Sequence, residues 1–219
     1  MLLDRQRVKF WQKWVFGFMA IIMAGFLVMI PLSKNSGCGG ATSATEQLDK
    51  EIAKYQAAVT ADPKNVESWR SLAENYTLRA NAQPLGSAAQ KADYRTAARY
   101  YERADKLLAK QKGAAAKQLR LDTLQQLVSV YLVLQDYQLA TSVYGQITAL
   151  TPKDAQSFFD MATVAIKAGD TNTALLAFTR FLKLAPNSPD AALVTDWIAA
   201  NSGTPAPTPS PSSSTGGGQ

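Results

Sequence analysis

The chain has 219 residues, 47% apolar, 9% aromatic and 18% charged, with a formal net charge of +6, one cysteine and no histidine. That length allows one domain with appendages. The absence of histidine excludes every Ser–His or Cys–His nucleophile pair, every imidazole metal site and any imidazole pH switch, and one cysteine closes no intramolecular disulfide and completes no four-cysteine zinc site.

The N-terminus holds most of the charge excess. Residues 1–34 carry Arg5, Arg7, Lys9, Lys13 and Lys34 against Asp4, a net of +4, leaving +2 for the rest. This distribution gives no ground for a nucleic-acid partner. Residues 1–14 form a basic segment, and residues 15–32 are an uncharged run of 18. At about 1.5 Å per residue, roughly 20 such residues in a helix cross a hydrocarbon core of about 30 Å. Trp11 and Trp14 suit the headgroup boundary upstream, and Pro31 suits a helix end. With four cations before the span and one after, the N-terminus is expected in the cytoplasm and the remainder outside it. The apolar run exceeds the 7–15 residues usual for a cleaved signal, so an uncleaved single-pass anchor is expected, with Cys38 an ordinary linker thiol. Gly17, Ala20, Ala24 and Gly25 put small residues on one side of this helix, which admits a second copy of the chain as a partner.

Residues 33–44 are small, polar and glycine-rich, the composition of a flexible tether. Residues 45–200 read as helix throughout, with apolar residues recurring at three and four positions. Residues 201–219 hold no charge and no aromatic residue, and their Pro/Ser/Gly composition predicts a disordered tail.

Within the helical body a period is visible. Pro152 and Pro186 lie 34 positions apart, and the same step relates Ala140 to Ala174, Tyr144 to Phe178, Leu124 to Phe158, Leu127 to Met161 and Val128 to Ala162. With Trp69, Leu72, Ala73, Tyr76, Ala97, Tyr101 and Ala104 upstream, this pattern resembles the tetratricopeptide repeat (TPR) family, whose unit is a helix–turn–helix of 34 residues. The resemblance implies an all-α chain: a transmembrane helix, then an α-solenoid of about three repeats. The expected segments are a half-repeat at 45–63, repeats at 64–110, 121–154 and 155–188, and a capping helix at 189–200. The first repeat departs from the pattern. Leu72 and Ala97 are 25 positions apart instead of 13, an insertion of 12 residues around 79–92. Gln83-Pro-Leu-Gly86 is the expected turn and Ser87 the expected cap, so both helices of that repeat are predicted to run long and protrude. At Gly113-Ala-Ala-Ala116 the closing proline is missing, which predicts a looser junction or a helix running on into the next repeat.

In the resembled family the first helices line a peptide-binding groove. Carried over by position, the candidates here are Arg70 and Glu74, then Gln125, Ser129 and Leu132, then Phe159, Thr163 and Ile166. Phe159, Leu132, Val133 and Ile166 together predict an apolar groove for a helix or an extended peptide. A second candidate surface is a basic stripe. Arg95, Arg99, Arg103, Lys106 and Lys110 follow at steps of four, four, three and four, on one side of a helix. Such a stripe is either a solvated face or a contact for anionic headgroups or an acidic partner.

The sequence shows no Gly-x-Ser-x-Gly elbow and no phosphate-binding glycine loop, and its carboxylates are scattered. No enzyme activity, cofactor or metal is expected. The expected role is a membrane-tethered, extracytoplasmic scaffold for protein–protein interaction, an assembly or chaperone-like accessory of a bacterial envelope complex. The alternative is a structural envelope component touching wall polymer or lipid through its tail and basic helix.

Overall fold

A computed structural model describes residues 40–203, with side chains from residue 45. Among these residues there are eight helices and no strand: α1 Gly40–Ala61, α2 Val66–Ala82, α3 Ala88–Leu108, α4 Ala114–Leu134, α5 Tyr137–Leu150, α6 Ala155–Lys167, α7 Thr171–Leu184 and α8 Ala191–Asn201. The basic segment 1–14, the span 15–32, Cys38 and the tail from 204 lie outside the described residues. No helix within them is long and apolar enough to cross a membrane.

Helix boundaries follow local chemistry. The side-chain oxygens of Asn65, Ser87 and Asp170 accept from the backbone N–H groups of Ser68, Gln90 and Thr173 at 3.0–3.1 Å, and Asp154 accepts from Gln156 N–H at 3.2 Å. Each such cap contributes about 1 kcal/mol by satisfying a donor that the helix leaves free. The 34-residue period extends to the turns. Gln135 and Gly169, 34 positions apart, both end a first helix with positive φ, 61° and 74°. After each, the next N–H reaches back to an equivalent carbonyl, Asp136 to Tyr131 and Asp170 to Ala165, both at 2.9 Å. Glycine adopts this left-handed conformation freely, whereas glutamine pays a steric penalty there.

Two helices start earlier than the sequence suggests. α1 begins at Gly40, inside the stretch expected as tether, because Ala41 and Ala44 are strong helix formers. α4 begins at Ala114, ahead of residue 121, since three alanines propagate the helix back to Gly113, whose φ of 106° makes the break. The helix of the first repeat does not run on into the next: α3 ends at Leu108, and a turn ending at Gly113 separates it from α4.

Packing proceeds hairpin by hairpin, each helix from α2 to α8 touching its successor. Alanine marks the closest approaches: Ala73, Ala80, Ala97, Ala104, Ala140, Ala162, Ala165 and Ala174 are all fully buried. Around them the larger side chains interlock. The most extensive cluster joins Tyr94 and Tyr101 of α3, Leu124, Leu127 and Tyr131 of α4, and Val143 and Ile147 of α5, with Val164 of α6. A second gathers Phe178 and Phe181 of α7 with Val194 of α8.

The insertion in the first repeat has a definite structural use. α2 and α3 are indeed long, at 17 and 21 residues, with the turn at 83–86 and Ser87 as cap. Their added ends are tied together by buried polar bonds. Arg79 grips Asp93 with two parallel hydrogen bonds of 2.9 and 2.7 Å, and Gln90 donates to the Ala80 carbonyl while accepting from Gly86 N–H. Arg79 also reaches Asp49 of α1 at 2.7 Å and lies 4.7 Å over the Tyr76 ring. α1 runs antiparallel to α2: Asp49 meets Arg79, Gln56 Nε2 donates to the Tyr76 hydroxyl at 3.0 Å, and Ile52 and Val59 close on Leu72. The extension thus gives α1 a partner at Asp49, beyond the apolar contacts of Ile52 and Val59. A bidentate pair shielded by two helices is worth more than an exposed pair such as Lys54–Glu51, which solvent screens.

Ala140→Leu or Ala174→Leu should overpack a helix crossing and cost roughly 1–3 kcal/mol in urea unfolding; unchanged midpoints would refute the proposed contacts. Gln135→Gly should stabilise by about 0.5–1 kcal/mol, the left-handed penalty less the extra unfolded freedom of glycine, whereas Gly169→Gln should destabilise.

Candidate functional site

The first helices of the hairpins, α2, α4 and α6, carry the groove candidates, and the structure divides them. Gln125, Ser129 and Leu132 of α4 line one cavity of about 310 Å³ together with Val128, with Tyr144 and Ile147 of α5, and with Asp154, Gln156, Ser157 and Asp160 at the start of α6. Three residues of α4 that the family resemblance proposed for a groove therefore share one cavity, with a polar rim that the resemblance did not supply. Tyr144 is visible in the sequence only as the aromatic of the second helix. Asp160 carries no sequence signal because its role depends on the neighbouring hairpin.

Arg70 and Glu74 sit on α2, apart from this cavity. Arg70 donates to Glu67 at 3.0 Å, and its Nε is buried without a hydrogen-bond partner. The Tyr101 hydroxyl from α3 comes up beside them; burial pushes that phenol up, against the hydrogen bond with Thr77. Thr163 bonds back to the Phe159 carbonyl at 3.0 Å, and Ile166 is exposed near the end of α6. Neither lines the cavity.

Phe159 requires a correction. Its ring packs against Phe178 and Phe181 of α7, with centroids 5.7 and 5.2 Å away, and Phe178 in turn meets Trp197 of α8 edge-on at 5.2 Å. It is half-buried and packs against the cluster between α6, α7 and α8. The sequence expectation places Phe159 in an apolar groove with Leu132; it does not line the cavity that Leu132 lines, because its ring packs against the aromatics of α7. The cavity that does form is mixed, with an apolar floor (Val128, Leu132, Ile147) and an acidic edge.

That edge is electrostatically frustrated. Asp160 has its carboxyl raised above the ordinary 3.8, first by burial and then by the nearby charge of Asp154, against the hydrogen bond it accepts from Gln156 at 2.8 Å. The Tyr144 phenol is raised by burial and by Asp160. No cation takes part in an ion pair with either carboxylate among the described residues. The arrangement suits a positively charged group arriving from outside, with its aliphatic stem on the floor. Among the described residues no group of thiols and carboxylates is placed to hold a metal ion.

All five residues of the basic stripe are exposed, four of them on α3 and Lys110 in the turn just after it. Arg99 donates to Thr96 at 3.2 Å, and Arg103 lies 5.9 Å over the Trp69 ring.

No family model matches the sequence, and no curated protein matches it. Among solved structures, the chain is similar to MamA at 18% identity over 77% of this chain and 86% of that one, with a TM-score of 0.46. It is similar to the Cut9–Hcn1 assembly at 15% identity over 70% of this chain and 40% of that one, TM-score 0.39. A third, YrrB, described as a TPR protein with an unusual peptide-binding site, shares 15% identity over 70% of this chain and 86% of that one, TM-score 0.28. The functional reading below rests on the geometry of this chain.

Because the folded-state carboxyl of Asp160 is raised, protonation favours the folded state. That contribution is complete below the unfolded value of 3.8 and is lost as pH rises through the folded value. Asp160→Asn removes the charge while keeping an acceptor for Gln156. It should melt higher than the parent at neutral pH, with the difference closing below pH 3.8; a lower melting temperature at neutral pH would contradict the assignment.

Proposed function

We propose that the chain is a membrane-tethered scaffold whose helical hairpins stand outside the cytoplasm and hold a segment of a partner protein in the groove between α4 and α6. The observation that carries this reading is the cavity itself, where Gln125, Ser129 and Leu132 from one hairpin face Asp160 from the next across an apolar floor. Helix hairpins stacked in register present such a groove because the first helices share one side, leaving their outward side chains open to solvent. The chemistry of the lining points to a partner segment that inserts a lysine or arginine. Its methylene stem would lie on Val128, Leu132 and Ile147, and its charge would meet Asp160. The tether comes from residues 15–32, whose length and apolarity fit one bilayer crossing and whose flanking charges fit a cytoplasmic N-terminus. The role that joins the two is an accessory or assembly factor of an envelope complex.

A photo-crosslinking residue at Gln125 in native membranes should capture a protein partner. Filling the cavity with Ser129→Trp should reduce that capture by roughly tenfold or more, since a fully occluded anchor pocket is worth about 1.4 kcal/mol or more of binding. The melting temperature of the variant should stay that of the parent. Undiminished capture by the correctly folded variant would refute the groove as the binding surface.

A further inference from the structure

The outer face of α3 is unusual in how completely its charge is of one sign. At about 100° per residue, Arg95, Arg99, Arg103, Lys106 and Lys110 fall within an arc of roughly 80°, opposite the side that buries Tyr94, Ala97, Tyr101, Ala104 and Leu108. The helix has acidic residues as well, and each is bonded to a neighbouring helix, Asp93 and Asp105 from the buried side and the half-buried Glu102 from beside the row. Asp93 holds Arg79 of α2, Glu102 accepts from the Tyr131 hydroxyl of α4, and Asp105 accepts from Arg120 of α4 at 2.6 Å. None of the five outer cations takes part in an ion pair among the described residues. The fold therefore engages each carboxylate of α3 with a neighbouring helix and leaves the five cations as a row without ion-pair partners.

From this row we infer that the outer face of α3 docks on a bilayer surface bearing anionic headgroups. The inference rests on the membrane tether of the proposed function. Residue 32 closes the apolar run, and α1 starts at Gly40, so seven residues connect them. Fully extended, they reach at most roughly 25 Å, about twice the diameter of a helix. Such a tether confines the hairpins to the neighbourhood of the headgroups while leaving enough slack for α3 to lie against them. α3 runs parallel to α1, since both are antiparallel to α2, and its first turns lie at the end of the stack where Asp49 of α1 meets Arg79. Confinement makes the lipid surface the anion source always within reach. A flat, multiply charged plane also matches a straight row of cations better than a single acidic side chain does.

The test uses the full chain reconstituted in phosphatidylcholine vesicles, with or without about 30% phosphatidylglycerol, and acetylation of lysines by a neutral reagent read by mass spectrometry. Flotation with the pure phosphatidylcholine vesicles tests the tether alone; a chain that does not float there refutes the anchor on which the inference rests. Given flotation, acetylation of Lys106 and Lys110 should slow by roughly threefold or more with the anionic lipid at ~50 mM salt, and recover at ~500 mM as screening shortens the reach of the charges. Lys153 and Lys183, exposed on other elements, should label at the same rate throughout. A variant carrying Arg95→Glu, Arg99→Glu and Arg103→Glu should float as before and lose the protection. Flotation without protection of Lys106 and Lys110 would overturn the inference.

Discussion

The structure depends on how closely neighbouring helices approach. Alanines with no solvent-accessible side chain stand at the crossings of every hairpin from α2 to α7. A larger residue at any of these would push two axes apart and open gaps around its neighbours, because an interior packed to crystalline density has no room to absorb a methylene. Only with the axes this close do Leu124, Tyr131, Ile147 and Phe178 reach the next helix. No single hairpin closes its own core: Val164 of α6 is part of the cluster formed by the preceding hairpins, and Phe178 of α7 is covered by Trp197 of α8. Stability is accordingly shared between adjacent units along the stack.

Polar groups specify what apolar packing leaves open. Where the repeat pattern is interrupted, ion pairs and hydrogen bonds take over the joining of helices. Arg79 links α1, α2 and α3, and Arg120 links α3 to α4 through Asp105 and α4 to α5 through Gln146 at 3.0 Å. These are the places where a longer helix or a missing proline breaks the 34-residue spacing. Burying such charges has a desolvation cost, so their contribution lies more in fixing one arrangement of the hairpins than in net stability. The same bonds occupy Asp93 and Asp105 of α3, so the carboxylates that join the hairpins stand apart from the cations of its outer face.

The groove and the basic face therefore differ in origin. The groove follows from stacking, since first helices on a common side leave a concavity wherever their outward residues are modest in size, as Ser129 and Gln125 are. The basic face follows from the helical period of its cations.

Much of this architecture was legible in the sequence because it is written in local patterns. The 34-residue recurrence of alanine and aromatic positions, the cap at Ser87 and the turn at 83–86 each depend on a few adjacent residues and their backbone preferences. The stripe from Arg95 to Lys110 was legible for the same reason, being a matter of helical period. Three features depended on contacts between distant segments. Phe159 packs against the aromatic rings of α7, Asp160 gained its role from residues contributed by α4 and α5, and the insertion around residue 79 acquired its purpose from Asp49 on a helix 30 positions upstream. Period and propensity decide which residues share a face of one helix. Which faces meet, and what is left between them, is decided by packing volume and charge pairing across helices, and that information exists only once the chain has folded.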